Sequence, residues 1–320
     1  MKVSDRDAAP VAAQYERWPF PREHFLTGEG LLLLRRLRSW LGADGAHEGR
    51  PCRLIDVGCG TGETTLAVAR HFPEAEVTGI DVAESSLRIA SASAAAAGVQ
   101  NVRFARRSLL GNLTPLGVHD VVLCTGVLHH IRSRDRAFGN LVRIAAPGGH
   151  LALWLYGRHG RAPHVLNQAF LRMITKGQSV SHAADIVRAF LDALGPRYAV
   201  DTGFYTPKGS GREGLAWLRA HPAWIEDQMA PAFERAVTLG ELLNLFDRHR
   251  VTLEEWLGVS TRMEDYTTDP HLIESFERLS FRQRLEALDF LLKPSYYFVI
   301  GMRRAEAPPE RRPGRTTSAT

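Results

Sequence analysis

Cysteine and lysine are both scarce in this chain of 320 residues. Three cysteines, Cys52, Cys59 and Cys124, cannot all pair, and two of them lie at the ends of apolar runs. A disulfide framework is therefore not expected, and a reducing, cytoplasmic setting is. Of 40 basic residues only four are lysine, and the 36 arginines are spread along the chain. A net charge of +5 distributed in this way lacks the clustered footprint that nucleic acid demands. Long hydrophobic runs are missing as well. The first twenty residues, with charges and no apolar stretch, do not read as a secretory signal, and "LLLL" at 31–34 is too short to cross a bilayer. Metal-ligand spacing is also wanting. Only His129 and His130 are adjacent among 13 histidines, and His159 and His164, five apart, do not share a helical face, so no metal site is expected.

What is present is a core-forming composition, 44% hydrophobic, and between residues 51 and 156 an alternation of short apolar runs with helical ones. That alternation predicts a parallel α/β arrangement. Strands are expected at 53–57, 76–80, 101–105, 120–124 and 149–155, with helices at 63–71, 84–97 and 134–145 between them. Residues 1–50 read as a cap: "YERWPFPREH" as an extended aromatic stretch, followed by an amphipathic helix closing at Gly42. Residues 157–245 lose the strand rhythm and read as a helical insertion over the site. Within it Thr238 and Glu241 have capping-box spacing. Residues 246–304 bring two closing strands, 250–258 and 295–304, and 305–320 read as a disordered tail. The predicted fold is a Rossmann-like, seven-stranded mixed sheet with helices on both faces, an N-terminal helical cap and a helical insertion after the fifth strand.

The segment "LIDVGCGTGETTLAVA", Leu54–Ala69, is a buried strand, a glycine turn and a helix start, an arrangement suited to a nucleotide-like ligand. The spacing G-C-G-T-G is not G-x-G-x-x-G, and Asp56 stands two residues before Gly58. A carboxylate there repels the pyrophosphate of a nicotinamide cofactor and tolerates a cationic sulfonium carrying an amino-acid end. The segment favours S-adenosylmethionine.

On these residues the chain resembles the class I S-adenosylmethionine-dependent methyltransferases over about 51–156, with weaker support at 250–304. The resemblance implies that Gly58 and Gly60 line the methionine end, that Asp56 orders the turn, and that Asp81 in "VTGIDVAESSLRIA", beside Val82, accepts the ribose hydroxyls. It places Ser108 and the Leu109 amide at the adenine, with Gly111 where related sequences carry an acid. "HDVVLCTGVLHHI" resembles the fourth motif of the family, implying Thr125 and Leu128 against the cofactor and His129 at the mouth. "YGRxGR" from Tyr156 and the N-terminal "YxxxPxP" from Tyr15 resemble a bacterial subset of these enzymes.

Methyl transfer from a sulfonium requires in-line positioning and exclusion of water rather than a triad. His129 is the first candidate for a base, against a packing role beneath the cofactor; His130 reads as structural. Tyr15, Trp18 and Phe20 suit a lid or a hydrophobic staple. Tyr156, Arg158 and Arg161 suit the mouth, the arginines as a clamp for an anionic substrate or as a solvated loop. Asp227, Gln228, Glu234 and Arg235 stand in a region suited to covering the acceptor, though most of them read as surface. The fourth strand is followed neither by an N-P-P-Y segment nor by a Pro-Cys nucleophile, which favours a small-molecule acceptor. The alternatives are a tRNA- or protein-modifying methyltransferase and a non-catalytic S-adenosylmethionine-binding regulator.

Overall fold

A computed structural model describes residues 3–20, 28–41, 46–47, 50–198, 208 and 211–305. Beside a two-stranded ribbon of Ala46–His47 and Arg50–Pro51, the main sheet has seven strands: β1 (Arg53–Val57), β2 (Glu76–Asp81), β3 (Val102–Arg106), β4 (His119–Thr125), β5 (Ala145–Tyr156), β6 (Val251–Trp256) and β7 (Tyr296–Arg303). They form one mixed sheet in the order 3-2-1-4-5-7-6. Strands β1 to β5 pair in parallel, while β7 runs antiparallel to both β5 and β6.

The sheet is buried on both faces, and successive side chains divide between two cores, as a period of two requires. Along β4, Val122 and Cys124 enter one core while Val121 and Leu123 enter the other. In β7, Tyr297 and Val299 join the first, Phe298 and Ile300 the second. The first core is roofed by α5 (Arg134–Ile144), α11 (Leu239–Arg248) and α13 (Phe281–Leu292). The second is covered by α2 (Gly28–Leu41) and α3 (Glu63–His71). Helix α4 (Glu84–Ala96) ends before Gly98, whose φ of +65° is the left-handed stop that glycine supplies cheaply.

Between β5 and β6 the insertion runs through α6 (Arg158–Ile174), α7 (Val180–Ala189), α8 (Gly195–Tyr198), α9 (Arg212–Ala220), α10 (Pro222–Met229) and α11. It owns a third core of Leu171, Phe190, Leu191, Leu215, Leu218, Trp224 and Met229. The Thr238–Glu241 capping box is present at the start of α11.

Several expectations need correction. Tyr15 to Arg17 are not extended but end a helix, α1 (Val3–Arg17); the aromatic signal masked an alanine-rich helical run. The closing strands are separated by α12 (Pro270–Glu277) and α13. Their caps, Asp269 before Pro270 and the Ser280–Gln283 box, were readable signals. Strand β5 begins at Ala145 with an irregular register against β4, so the "APGG" turn lies within it. The expected helix end at Gly42 and the tail from 306 lie outside the described residues.

Candidate functional site

The carboxyl ends of β1, β2, β4 and β5 open into one cavity of about 280 Å³, the position where open α/β sheets bind ligands. At its floor the chain leaves β1 through Gly58, φ +78°. A Cβ there would collide with the Val127 side chain, so only glycine satisfies both the angle and the space. The Gly58 and Cys59 amides donate to the Ile80 carbonyl at 2.7 and 3.0 Å, fastening the loop to β2. The Gly60 amide donates to Asp81 Oδ2 at 2.9 Å, and the Ala83 amide to Asp81 Oδ1 at 2.8 Å. Asp81 is thereby held by two backbone donors while each oxygen keeps further accepting capacity.

Asp56 is 1% exposed. Its Oδ2 accepts from the Thr65 hydroxyl at 2.6 Å, whereas Oδ1 is buried with no hydrogen-bond partner. Glu63 Oε1 and Ser86 Oγ are buried without partners too, and both residues line the cavity. Burial raises Asp56 to about 6 and Glu63 to about 7, and raises Asp81 against the opposing pull of its backbone donors. Three acids whose anions are penalised by desolvation make an end that a cation relieves and a pyrophosphate worsens.

At the third corner Ser108 Oγ accepts from the Leu110 amide at 3.2 Å and the Ser108 carbonyl from Gly111 at 2.9 Å. Gly111 thus closes a turn where an acid was looked for. Asn140, on α5, donates to the Leu109 and Gly111 carbonyls at 2.7 and 3.1 Å; nothing in the sequence tied this residue to the loop. Val82, Ser108, Leu109 and Thr125 line the cavity. Leu128 belongs to the first core instead, and its neighbour Val127 takes the lining position.

The opposite end is aromatic, with Tyr15, Phe20, Trp154, Tyr156 and Trp224 around His129 and His130. His129 stacks on Tyr156 with 3.8 Å between ring centres, and its Nδ1 accepts from the Tyr156 amide at 3.3 Å. Burial and neighbouring positive charges push its imidazole well below the ordinary range. Asp227, read from sequence as surface, is 3% exposed and Gln228 1%. The Tyr15 hydroxyl donates to Asp227 Oδ1 at 2.7 Å, and Gln228 Nε2 donates to Asp227 Oδ2 at 2.8 Å and to the Tyr156 hydroxyl at 2.7 Å. His130, read from sequence as structural, lines the cavity with its Nε2 3.7 Å from Asp227 Oδ1. The missed signal was the run "IEDQM", polar residues on a helix whose apolar neighbours Trp224, Ile225 and Met229 are buried.

The arginine clamp needs correction. Arg158 grips Glu241 with contacts of 2.6 and 2.7 Å, and Arg161, fully buried, pairs with Glu234 at 3.1 Å and lies over the Tyr156 ring at 3.5 Å. Both guanidiniums are engaged by carboxylates, and neither lines the cavity. Glu234, also read as surface, has its side chain 1% exposed. Among the described residues no group of three or more potential metal ligands is found, and no helix is long and apolar enough to cross a membrane.

Residues 55–151 match the methyltransferase domain family. That match covers about 30% of the chain and shows a methyltransferase domain there, set within the seven-stranded mixed sheet. An uncharacterised protein of Synechococcus is 34% identical over 166 residues, half of this chain and 40% of that one. Demethylmenaquinone methyltransferase of Thermus thermophilus is 36% identical over 110 residues, 34% of this chain and 50% of that one. The chain thus spans half or less of the length of these relatives. The structure of PKMT2 from Rickettsia typhi in complex with AdoHcy superposes with a TM-score of 0.63 at 14% identity, covering 92% of this chain and 55% of that one. At that identity the likeness speaks to fold alone, and it extends well beyond the methyltransferase domain.

Proposed function

We propose that the chain is an enzyme that transfers a methyl group from S-adenosylmethionine to a small-molecule acceptor. The observation that carries this reading is the buried, unpartnered Asp56 Oδ1 at the foot of a cavity whose far end is aromatic. Asp56 and Glu63 offer that end to the ammonium of the co-substrate, Gly58 and Gly60 let its amino-acid portion approach the backbone, and Asp81 accepts from its ribose. Val82, Ser108, Leu109 and Thr125 form the walls of the adenine end. Bound there, S-adenosylmethionine supplies an electrophilic methyl on a cationic sulfur.

The chain's own part is to position the acceptor and exclude water. Helix α1 serves both ends. The Glu16 carboxylate accepts from the Glu84 amide at 2.8 Å and the Ser85 amide at 3.2 Å, at the start of α4 in the core. Gln14 and Tyr15 bind the Ala232 amide and Asp227 of the insertion. The acceptor chamber is therefore covered by a helix fixed on two sides, with Phe20, Trp154 and Trp224 in its walls. A chamber walled by aromatic rings and covered by one helix supports a small acceptor over a macromolecular one. The likeness to demethylmenaquinone methyltransferase points the same way.

Calorimetry with S-adenosylmethionine, S-adenosylhomocysteine and NADH tests the binding half: the first two bind and NADH does not. Label from methyl-labelled S-adenosylmethionine is then followed into metabolites below 1 kDa, bulk tRNA and total protein. Label in the small-molecule fraction supports the reading. Label confined to tRNA or protein overturns the acceptor class, and binding without transfer to any fraction leaves a regulator.

A further inference from the structure

His129 and His130 are adjacent and both line the cavity, and as neutral rings they are held by the backbone in opposite tautomers. A backbone amide can only donate, so His129 Nδ1, which receives the Tyr156 amide at 3.3 Å, is the unprotonated nitrogen of its ring. The neutral ring then holds its proton on Nε2. A carbonyl can only accept, so His130 Nδ1, 2.8 Å from the Phe233 carbonyl, carries the proton, and its Nε2 presents a lone pair. That lone pair faces Asp227 Oδ1 across 3.7 Å. Two acceptor atoms at this separation are complementary to a hydroxyl or neutral amine hydrogen placed between them.

We propose that His130, rather than His129, takes the proton of the acceptor, with Asp227 and Tyr15 as positioning residues that hold the acceptor's X–H group against His130 Nε2. The inference rests on the methyltransferase reading above. The step balances within the site. The acceptor's lone pair forms the bond to the methyl carbon, the carbon–sulfur bond breaks with its pair left on sulfur, and the acceptor proton passes to Nε2. The imidazolium then donates at both nitrogens, to the Phe233 carbonyl and to Asp227, and releases its proton to water when product leaves. His129 has the reverse assignment: it has no lone pair at Nε2 to offer and acts as a donor. The groups facing His130 are Tyr15 from α1, Asp227 from α10, Tyr156 from β5 with its ring centre 6.3 Å away, and His129 beside it. A lone-pair acceptor in this setting selects nucleophiles that keep a lone pair and lose a proton on methylation, which are alcohols, phenols, un-ionised acids and neutral amines.

Two measurements test the proposal. Long-range ¹H–¹⁵N spectra of imidazole-labelled protein saturated with S-adenosylhomocysteine report each tautomer without any acceptor. His130→Gln and His129→Gln assign the signals by removing them. An unprotonated Nε2 at His130 and an unprotonated Nδ1 at His129 are expected, and a protonated Nε2 on neutral His130 overturns the proposal. In the labelled-methyl assay with the metabolite fraction, His130→Gln is expected to lower kcat by about 10²–10⁴-fold. S-Adenosylhomocysteine affinity should stay within about threefold, which also shows that the variant is folded, and added imidazole should restore part of the rate. If His130→Gln turns over as wild type does, His130 is not the base while the methyltransferase reading stands. If wild type transfers no methyl to any fraction, that reading and this one fall together.

Discussion

Asp56 is the residue on which burial and ligand charge act most directly against each other. Burial raises its carboxyl from 3.8 to about 6. The folded state therefore binds this proton more tightly than the open chain does. The contribution to stability is fully present below about pH 4 and is lost as pH rises through about 6. At pH 8 the buried anion costs on the order of 3 kcal/mol, at about 1.4 kcal/mol per pH unit of displacement. A bound ammonium reverses that balance because only the anion pairs with it. Affinity for S-adenosylmethionine is expected to be highest near pH 8, to begin falling near 7 as Glu63 protonates, and to steepen below 6 as Asp56 does. Calorimetry at pH 5, 6, 7 and 8 checks the curve. Asp56→Asn is expected to weaken binding at pH 8 by about 1.5–3 kcal/mol, the range for a hydrogen bond to a charged group, and to flatten the limb below pH 6. An unchanged curve removes Asp56 from the site. This half of the site was legible in the sequence because it is local: strand, glycines and acid lie within nine residues of one another. The acceptor half was not. Tyr15, His130 and Asp227 are brought together across a separation of more than two hundred residues, and no periodicity marks a polar residue as buried when its partner is that distant.

At the level of elements, the strands and the helices of the core follow from local patterning, and the helix α3, expected at 63–71, spans those residues. The segment "YGRHGR" shows where local patterning stops being enough, because each of its unusual residues answers to something remote. Tyr156 ends β5 and its hydroxyl accepts from Gln228; Arg158 and Arg161 reach Glu241 and Glu234. Gly157 and Gly160 lie so close to the backbone of 293–295 that a Cβ on either would overlap it. The segment is a junction that binds β5, α11 and the approach to β7. Gly160 gives the junction a test in which two effects have opposite signs. It occupies the first turn of α6, and alanine in a helix gains up to about 1 kcal/mol over glycine. The added methyl, however, would fall on the Lys293 carbonyl and the Ser295 amide, which are backbone atoms and cannot rotate away. Overpacking of that kind costs about 1–3 kcal/mol. Gly160→Ala is therefore expected to lower stability by about 1–2 kcal/mol in urea unfolding at pH 7.5. A gain would mean that the junction opens without cost.

For the whole molecule the question is what keeps a helical insertion with its own core in register with the methyltransferase domain. Part of the answer is backbone: the Val237 amide donates to the Tyr156 carbonyl at 3.0 Å, and the Arg158 amide to the Val237 carbonyl at 2.7 Å. The rest is a buried polar knot in which Arg161 meets Glu234, Gln228 and the face of Tyr156. Ion pairs buried this deeply stabilise little relative to well-packed apolar groups, because both charges are taken out of water, but breaking one strands its partner. Glu234→Leu is accordingly expected to cost about 3–5 kcal/mol, since it leaves a fully buried guanidinium with only the neutral Gln228 amide and the Tyr156 ring for support. Adding Arg161→Met to the same chain removes the stranded charge and should recover at least half of that loss. The two changes together are thus less harmful than one. Urea unfolding of wild type, both single variants and the double closes the cycle, with a coupling energy of about 2 kcal/mol or more expected. Additive losses would mean that the arginine is satisfied without Glu234, and that the insertion is held to the sheet by its backbone contacts and apolar packing alone.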